Sequence, residues 1–146
     1  MKILLIHGPN LHLLGRRKPE LYGSLSLPQL NAAIKKEAAT LGVKLRVFQS
    51  NCEGEIIDLL TANAGWADAL IINPGAYTHY SYAIRDAVEA LYPAAVEVHL
   101  TDISKREPFR RLSVIKPVCA AQFKGEGPGS YLKALRYCVK APGKKK

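Results

Sequence analysis

Five short runs of aliphatic and β-branched residues recur along the chain, and they limit its fold more tightly than any other feature: Lys2 to His7, Lys44 to Gln49, Ala69 to Asn73, Val96 to Thr101 and Val118 to Phe123. Their apolar character is continuous rather than alternating, which fits strands covered on both faces. The segments between them place apolar residues at helical spacing. Leu30, Ile34, Ala38 and Leu41 form one stripe after Pro28, and Ile56, Ile57 and Leu60 a second. Ile84, Val88 and Leu91 form a third, and Tyr131, Leu132, Leu135 and Val139 the last. Strand and helix in alternation imply a parallel sheet whose crossovers lay helices on both faces. The expectation is an α/β, flavodoxin-like three-layer sandwich with a five-stranded parallel sheet in the order 2-1-3-4-5. With 146 residues, 48% of them hydrophobic, the chain can bury one core without disulfide staples. A single catalytic domain over 1–139 is expected, followed by a basic tail, 140–146, that reads as a frayed and solvated end.

That topology makes the sequence testable, because ligands in open α/β sheets bind beyond the carboxyl ends of the strands, near the switch between strands 1 and 3. Polar residues should gather after strands 1, 3 and 4. They do: Asn10 follows the first, Asn73 through His79 the third, and His99 through Asp102 the fourth. About fifteen residues separate strand 1 from the first helical position near Pro28, where two to six are usual. A loop of that length at the ligand end is a lid candidate. In it Gly15 and Gly23 flank Arg16, Arg17, Lys18 and Tyr22. A phenol becomes a usable base near neutrality when guanidinium charge stabilises its phenolate. The plainer alternative is a solvated surface loop with Tyr22 packed down.

In the stretch from Asn73 to Ser81, Pro74 and Gly75 force a turn before a helix expected to begin near His79 or Tyr80. Such a turn offers backbone N–H groups to an oxyanion or carboxylate, with Asn73 and His79 adding side-chain hydrogen bonds. The alternative is ordinary strand-to-helix punctuation with Thr78 as the cap. Glu97 and His99 stand at i and i+2 of a strand and so share a face. A carboxylate holding one imidazole nitrogen fixes the tautomer and raises the basicity of the ring, which suits a general acid; a satisfied structural histidine is the competing reading. Arg106, Arg110 and Arg111 follow on what reads as a short helix able to grip an anion or to form a solvated basic face.

Other chemistries lack their signatures. The three cysteines, Cys52, Cys119 and Cys138, form no C-x-x-C and read as small buried apolar residues in a reducing compartment. No H-E-x-x-H, G-x-S-x-G or P-loop is present, and Gly125 to Gly129 misses G-x-G-x-x-G because Ser130 stands in the last position. The first apolar run is only a strand long and ends in Gly8, Pro9 and Asn10, so neither a signal peptide nor a membrane span is expected, and a cytoplasmic location is. Of the net charge of +9, four lysines belong to the tail (Lys140, Lys144, Lys145, Lys146), leaving +5 that could draw a small anion into a cleft.

Taken in order, His7-Gly8-Pro9-Asn10-Leu11, Leu13-Leu14-Gly15 with Arg17, Pro19-Glu20-Leu21-Tyr22-Gly23, Gln49-Ser50-Asn51 with Glu53-Gly54, Ile72 through His79, Ala83-Ile84-Arg85-Asp86 and Val96 through Leu100 resemble the type II 3-dehydroquinate dehydratases from Met1 to about Val139. The resemblance implies reversible dehydration of 3-dehydroquinate to 3-dehydroshikimate through an enolate, in the shikimate pathway or quinate breakdown, with no metal and no cofactor. It implies Tyr22 as a tyrosinate base kept ionised by Arg17, Asn10 stabilising the enolate through an ordered water, and His99, oriented by Glu97, protonating the departing hydroxyl. Asn73, His79, Arg110 and the backbone of Leu100 and Thr101 match substrate-binding positions, and Asp86 would reach a neighbouring subunit's site. A homododecamer built as a tetramer of trimers is implied too.

The chain departs from the family pattern at Thr101-Asp102 and at Ser104-Lys105-Arg106, where Ser-Asn and His-Ala-Arg are common. Thr101 keeps a hydroxyl and a backbone N–H. Asp102 brings a negative charge toward an anionic substrate unless it faces away or pairs with Lys105 or Arg106. His12 stands where Asn is frequent and is assigned no role. The rival from another class is a flavodoxin-like binding or regulatory module with a basic surface. A receiver would carry acidic residues after strand 1, where this chain has His7 and Asn10. A nucleic-acid binder would interleave basic and aromatic residues on one face, and neither nucleic acid nor membrane is expected as a partner. A catalytically dead subunit is a third possibility, against which Tyr22, Arg17 and His99 argue.

Overall fold

The structure is a computed structural model, and it describes residues 1–16, 20 and 23–141. Five strands, β1 (Lys2–His7), β2 (Lys44–Gln49), β3 (Ala69–Asn73), β4 (Ala95–His99) and β5 (Ala121–Lys124), form one parallel sheet in the order β2-β1-β3-β4-β5. Among the described residues, α1 (Leu27–Thr40), α2 (Glu53–Asn63) and α3 (Tyr82–Leu91) lie between successive strands from β1 to β4, 3-10 turns lie between β4 and β5, and α4 (Pro128–Lys140) follows β5. This is the flavodoxin-like α/β sandwich expected.

The continuous apolar runs split by parity into two cores, because successive strand residues point to opposite faces. Ile3, Leu5, Ile71, Val96 and Val98 pack with Leu30 and Ile34 of α1 and with Tyr131 and Leu135 of α4. Leu4, Ile6, Leu70 and Ile72 pack on the other side with Ile56 and Leu60 of α2 and Ile84 and Val88 of α3. Helix α1 starts where local chemistry dictates: Ser26 and Gln29 form a reciprocal capping box, with Pro28 in the first turn. In α4 the buried stripe is Ser130, Tyr131, Ala134, Leu135 and Cys138, and Val139 of the expected stripe is 39% exposed.

Several boundaries differ from the sequence reading. Strand 4 stops at His99, and Leu100 and Thr101 bend away where Gly125, at φ 84°, turns the neighbouring strand off the sheet. Strand 5 begins at Ala121 because Lys116–Val118 forms a 3-10 turn around Pro117, which has no N–H for a ladder. The helix after strand 3 begins at Tyr82 with Ser81 as its cap, since Gly75–His79 forms a 3-10 turn first. Thr78 is therefore no cap but a fully buried residue. The arginines lie not on one helix but at the ends of two 3-10 turns, Arg106 just after Ile103–Lys105 and Arg110 and Arg111 at the end of Pro108–Arg110, because Pro108 drives Glu107 into an extended conformation. Of the cysteines, only Cys138 is fully buried; Cys52 is exposed and Cys119 half-buried.

One close approach sets the geometry of the ligand end. The Gly8 N–H donates to the Asn73 carbonyl at 2.7 Å, so the turns after β1 and β3 touch. A Cβ on Gly8 would stand 2.5 Å from the Pro74 carbonyl oxygen, so only glycine fits.

Candidate active site

The chain leaves β1 for one edge and returns to β3, which opens a crevice where the two strands end. A pocket of about 140 Å3 lies there. Asn10, Asn73, His79, His99, Thr101 and Arg110 all line it, as does Leu100. Asn10 sits at φ 67°, in a left-handed conformation that asparagine tolerates better than most residues. Asn51 holds it there, accepting the Asn10 backbone N–H on Oδ1 at 3.0 Å, and is itself held by Gln49 Nε2 at 3.0 Å and by the Tyr77 hydroxyl on its carbonyl at 2.9 Å.

Glu97 and His99 are on one face of β4, and the imidazole donates from Nε2 to Glu97 Oε1 at 2.7 Å. Glu97 does not line the pocket; it stands behind His99 with no solvent exposure. A carboxylate there survives only if its lone pairs are satisfied. Ser113 Oγ lies 2.9 and 3.0 Å from its two oxygens, Gln122 Nε2 donates to Oε2 at 2.8 Å, and the Thr78 hydroxyl completes the set. Burial works to raise its pKa, but the bond and charge of His99 together with Thr78 and Ser113 outweigh that, so the carboxyl stays below its ordinary value and ionised.

His79 donates Nδ1–H to the Leu112 carbonyl at 2.7 Å. Burial lowers its pKa, the Leu112 bond opposing, and His99 and Arg110 lower it further. The ring is therefore neutral, with Nε2 as an acceptor. Arg110 lies over the Phe109 ring at 4.7 Å, and its Nε is 3.3 Å from Glu107 without the alignment of a hydrogen bond.

Sequence reasoning missed the neighbours of Glu97. Gln122 was legible in principle, as a polar residue within a strand that pairs with Glu97 in register. Ser113 carried no periodic signal; the Val114 N–H bond to the Thr78 carbonyl at 2.8 Å brings it in. Arg106 also lines the pocket and reaches Thr101 Oγ1 at 3.5 Å. Asp102 pairs with Lys124 at 3.1 Å rather than with Lys105 or Arg106, and is not part of the pocket wall. Asp86 lies apart from the pocket, exposed on α3. The proposed base Tyr22 and its partner Arg17 lie outside the described residues. Among the described residues no group of three His, Cys, Asp or Glu side chains is placed to hold a metal ion, and no helix is long and apolar enough to cross a membrane.

Comparison with known proteins places this pocket in a family context. The family model described as "Dehydroquinase class II" matches residues 1–139. A "3-dehydroquinate dehydratase" of Roseiflexus castenholzii is 51% identical over 143 residues, covering 98% of this chain and 91% of the relative. One of Geotalea daltonii is 52% identical over 136 residues, covering 93% and 94%. The crystal structure of the type II dehydroquinase from Butyrivibrio crossotus superposes with a TM-score of 0.93 at 40% identity, over 97% of this chain and 98% of that one.

Proposed function

The chain belongs to the class II dehydroquinases, and from that premise we propose that it catalyses the reversible dehydration of 3-dehydroquinate to 3-dehydroshikimate through an enolate. The observation that carries the reading is the convergence of Asn10, Asn73, His79, His99 and Arg110 on one pocket, with the ionised Glu97 behind His99.

In this reading Tyr22, kept as the phenolate by Arg17, takes the C2 proton beside the C3 ketone. Asn10 stabilises the negative charge that develops on the ketone oxygen, through an ordered water. The C1–O bond then breaks, and His99 protonates the departing hydroxyl so that it leaves as water. Because Glu97 holds Nε2–H, Nδ1 is the ring atom left to carry that proton, and an ionised carboxylate stabilises the imidazolium needed to deliver it. Asn73, His79, Arg110 and the backbone of Leu100 and Thr101 hold the substrate's carboxylate and hydroxyls. Fixed dipoles placed where charge develops cost no reorganisation during the reaction. The mechanism needs neither metal nor organic cofactor.

The working unit in this reading is one catalytic domain, 1–139, with a basic tail, assembled in the cytoplasm as a dodecamer of four trimers in which Asp86 approaches a neighbour's site. Tyr82 and Asp86, both exposed and one turn apart on α3, support burial of that helix face in an assembly. Light scattering of the purified protein tests the assembly.

The test of function adds 3-dehydroquinate to purified protein and follows the ultraviolet absorbance of the conjugated enone, with borohydride and a chelator as controls. Enone formation surviving both supports the reading; none from folded protein moves it to a binding module or a dead subunit. Tyr22→Phe should abolish proton abstraction, and full activity would sink the assignment of the base. His99→Ala should still exchange the C2 proton with solvent while barely releasing water.

A further inference from the structure

A buried chain of polar side chains runs beneath the pocket, and of its members only Asn73 enters the mechanism above. His7, last residue of β1, and Asn73, last residue of β3, are partners in register. The Tyr131 hydroxyl, from α4, lies between them, 2.7 Å from Asn73 Nδ2 and 3.2 Å from His7 Nδ1. His7 Nε2 continues the chain to Asn31 Oδ1 on α1 at 2.8 Å. His7, Tyr131 and Asn73 are all at most 2% exposed.

One backbone group fixes the polarity of the whole chain. The Gly75 N–H can only donate, and it donates to the Asn73 side chain at 3.1 Å, so that atom is Oδ1. Asn73 Nδ2 must therefore face Tyr131, whose oxygen accepts. The Tyr131 proton must then go to His7 Nδ1, which is bare, and His7 carries its proton on Nε2 and donates it to Asn31. Every member is satisfied in this arrangement. A single reversal would set two donors or two acceptors against each other in a dry interior, where an unmade hydrogen bond is costly.

We propose that Tyr131 and His7 are positioning residues that orient the Asn73 carboxamide, leaving one Nδ2–H and one Oδ1 lone pair directed to the pocket ligand. The inference rests on the reading of Asn73 as a substrate-binding residue. Burial keeps the Tyr131 phenol protonated and the His7 ring neutral. Asn73 is thus held from both ends, by the turn that follows β3 and by α4, a helix that otherwise contributes nothing to the pocket wall.

The test has a kinetic and a spectroscopic arm. Tyr131→Phe removes one oxygen and keeps the ring, so the core stays filled. KM should rise about 5- to 10-fold with kcat changed less than about twofold, the signature of lost ground-state binding. Asn73→Ala should raise KM by itself, and adding Tyr131→Phe to it should change nothing more; independent, multiplying effects would overturn the proposal. His7→Leu should reproduce the Tyr131→Phe effect, and His7→Gln, whose carboxamide has both an acceptor and a donor, should restore KM. Nitrogen-15 spectra of the wild-type histidines judge the polarity without substrate: His7 should show Nε2 protonated and Nδ1 bare throughout pH 6 to 8, and the opposite tautomer would overturn the proposal. If the wild type forms no enone, the functional reading fails, while these spectra still decide the relay.

Discussion

Glu97 accepts the Nε2–H of His99 at 2.7 Å from a position with no solvent exposure, so the imidazole is oriented by a charge that water does not screen. Glu97→Gln keeps the shape and removes that charge. An amide nitrogen in place of Oε2 would also meet the Gln122 side-chain nitrogen, 2.8 Å away, as donor against donor. The expected outcome is a kcat lower by about 100-fold and a loss of about 1 to 3 kcal/mol in urea-monitored stability. A folded variant with unchanged kcat would remove Glu97 from the mechanism.

His7 should make stability depend on pH. Burial, opposed by the bond to Asn31, lowers its pKa from 6.5 to about 4. Between those values the unfolded chain binds a proton that the native state does not. Its stabilising contribution is therefore complete above pH 6.5 and is lost as the pH falls toward 4, on the order of 3 kcal/mol from this residue. His7→Gln cannot titrate, so its urea midpoint should fall less steeply than the wild type's across that window. Parallel profiles would refute the assignment.

Gly8→Ala tests the contact between the two turns. Its Cβ would stand 2.5 Å from the Pro74 carbonyl oxygen and 2.9 Å from that of Asn73, both backbone atoms with little room to give. The cost should be about 1 to 3 kcal/mol of stability. Activity should also drop, since Asn10 and Asn73 ride on the turns forced apart. Chemical denaturation and steady-state kinetics on one preparation measure both, and a neutral substitution would show that the turns are free to separate.

Asp102, the least comfortable departure from the family pattern, should be nearly silent in catalysis. Its carboxylate is occupied by the Ser104 N–H at 3.0 Å and by Lys124 at 3.1 Å. Asp102→Asn should change KM for the anionic substrate by less than about twofold, as befits a half-buried pair still reached by solvent and salt. A KM that falls tenfold would mean that the charge is felt at the site.

Much of this protein was legible in its sequence because the relevant physics is local. The order of the strands, the two faces of the sheet and the gathering of polar residues after β1, β3 and β4 follow from runs and stripes whose periods are set by backbone geometry. The Glu97 and His99 pair was readable for the same reason, since i and i+2 of a strand share a face wherever the strand goes. Where expectation failed, a neighbour intervened: Pro117 delayed β5, Pro108 divided the arginine segment, and Gly75–His79 took a 3-10 turn before α3 could start. Only tertiary structure decided what surrounds the site. Ser113 reaches Glu97, Lys124 takes Asp102, and Tyr131 joins His7 to Asn73 across 58 residues. No period encodes such partners, because a hydrogen bond between distant segments depends on where packing has already carried both of them.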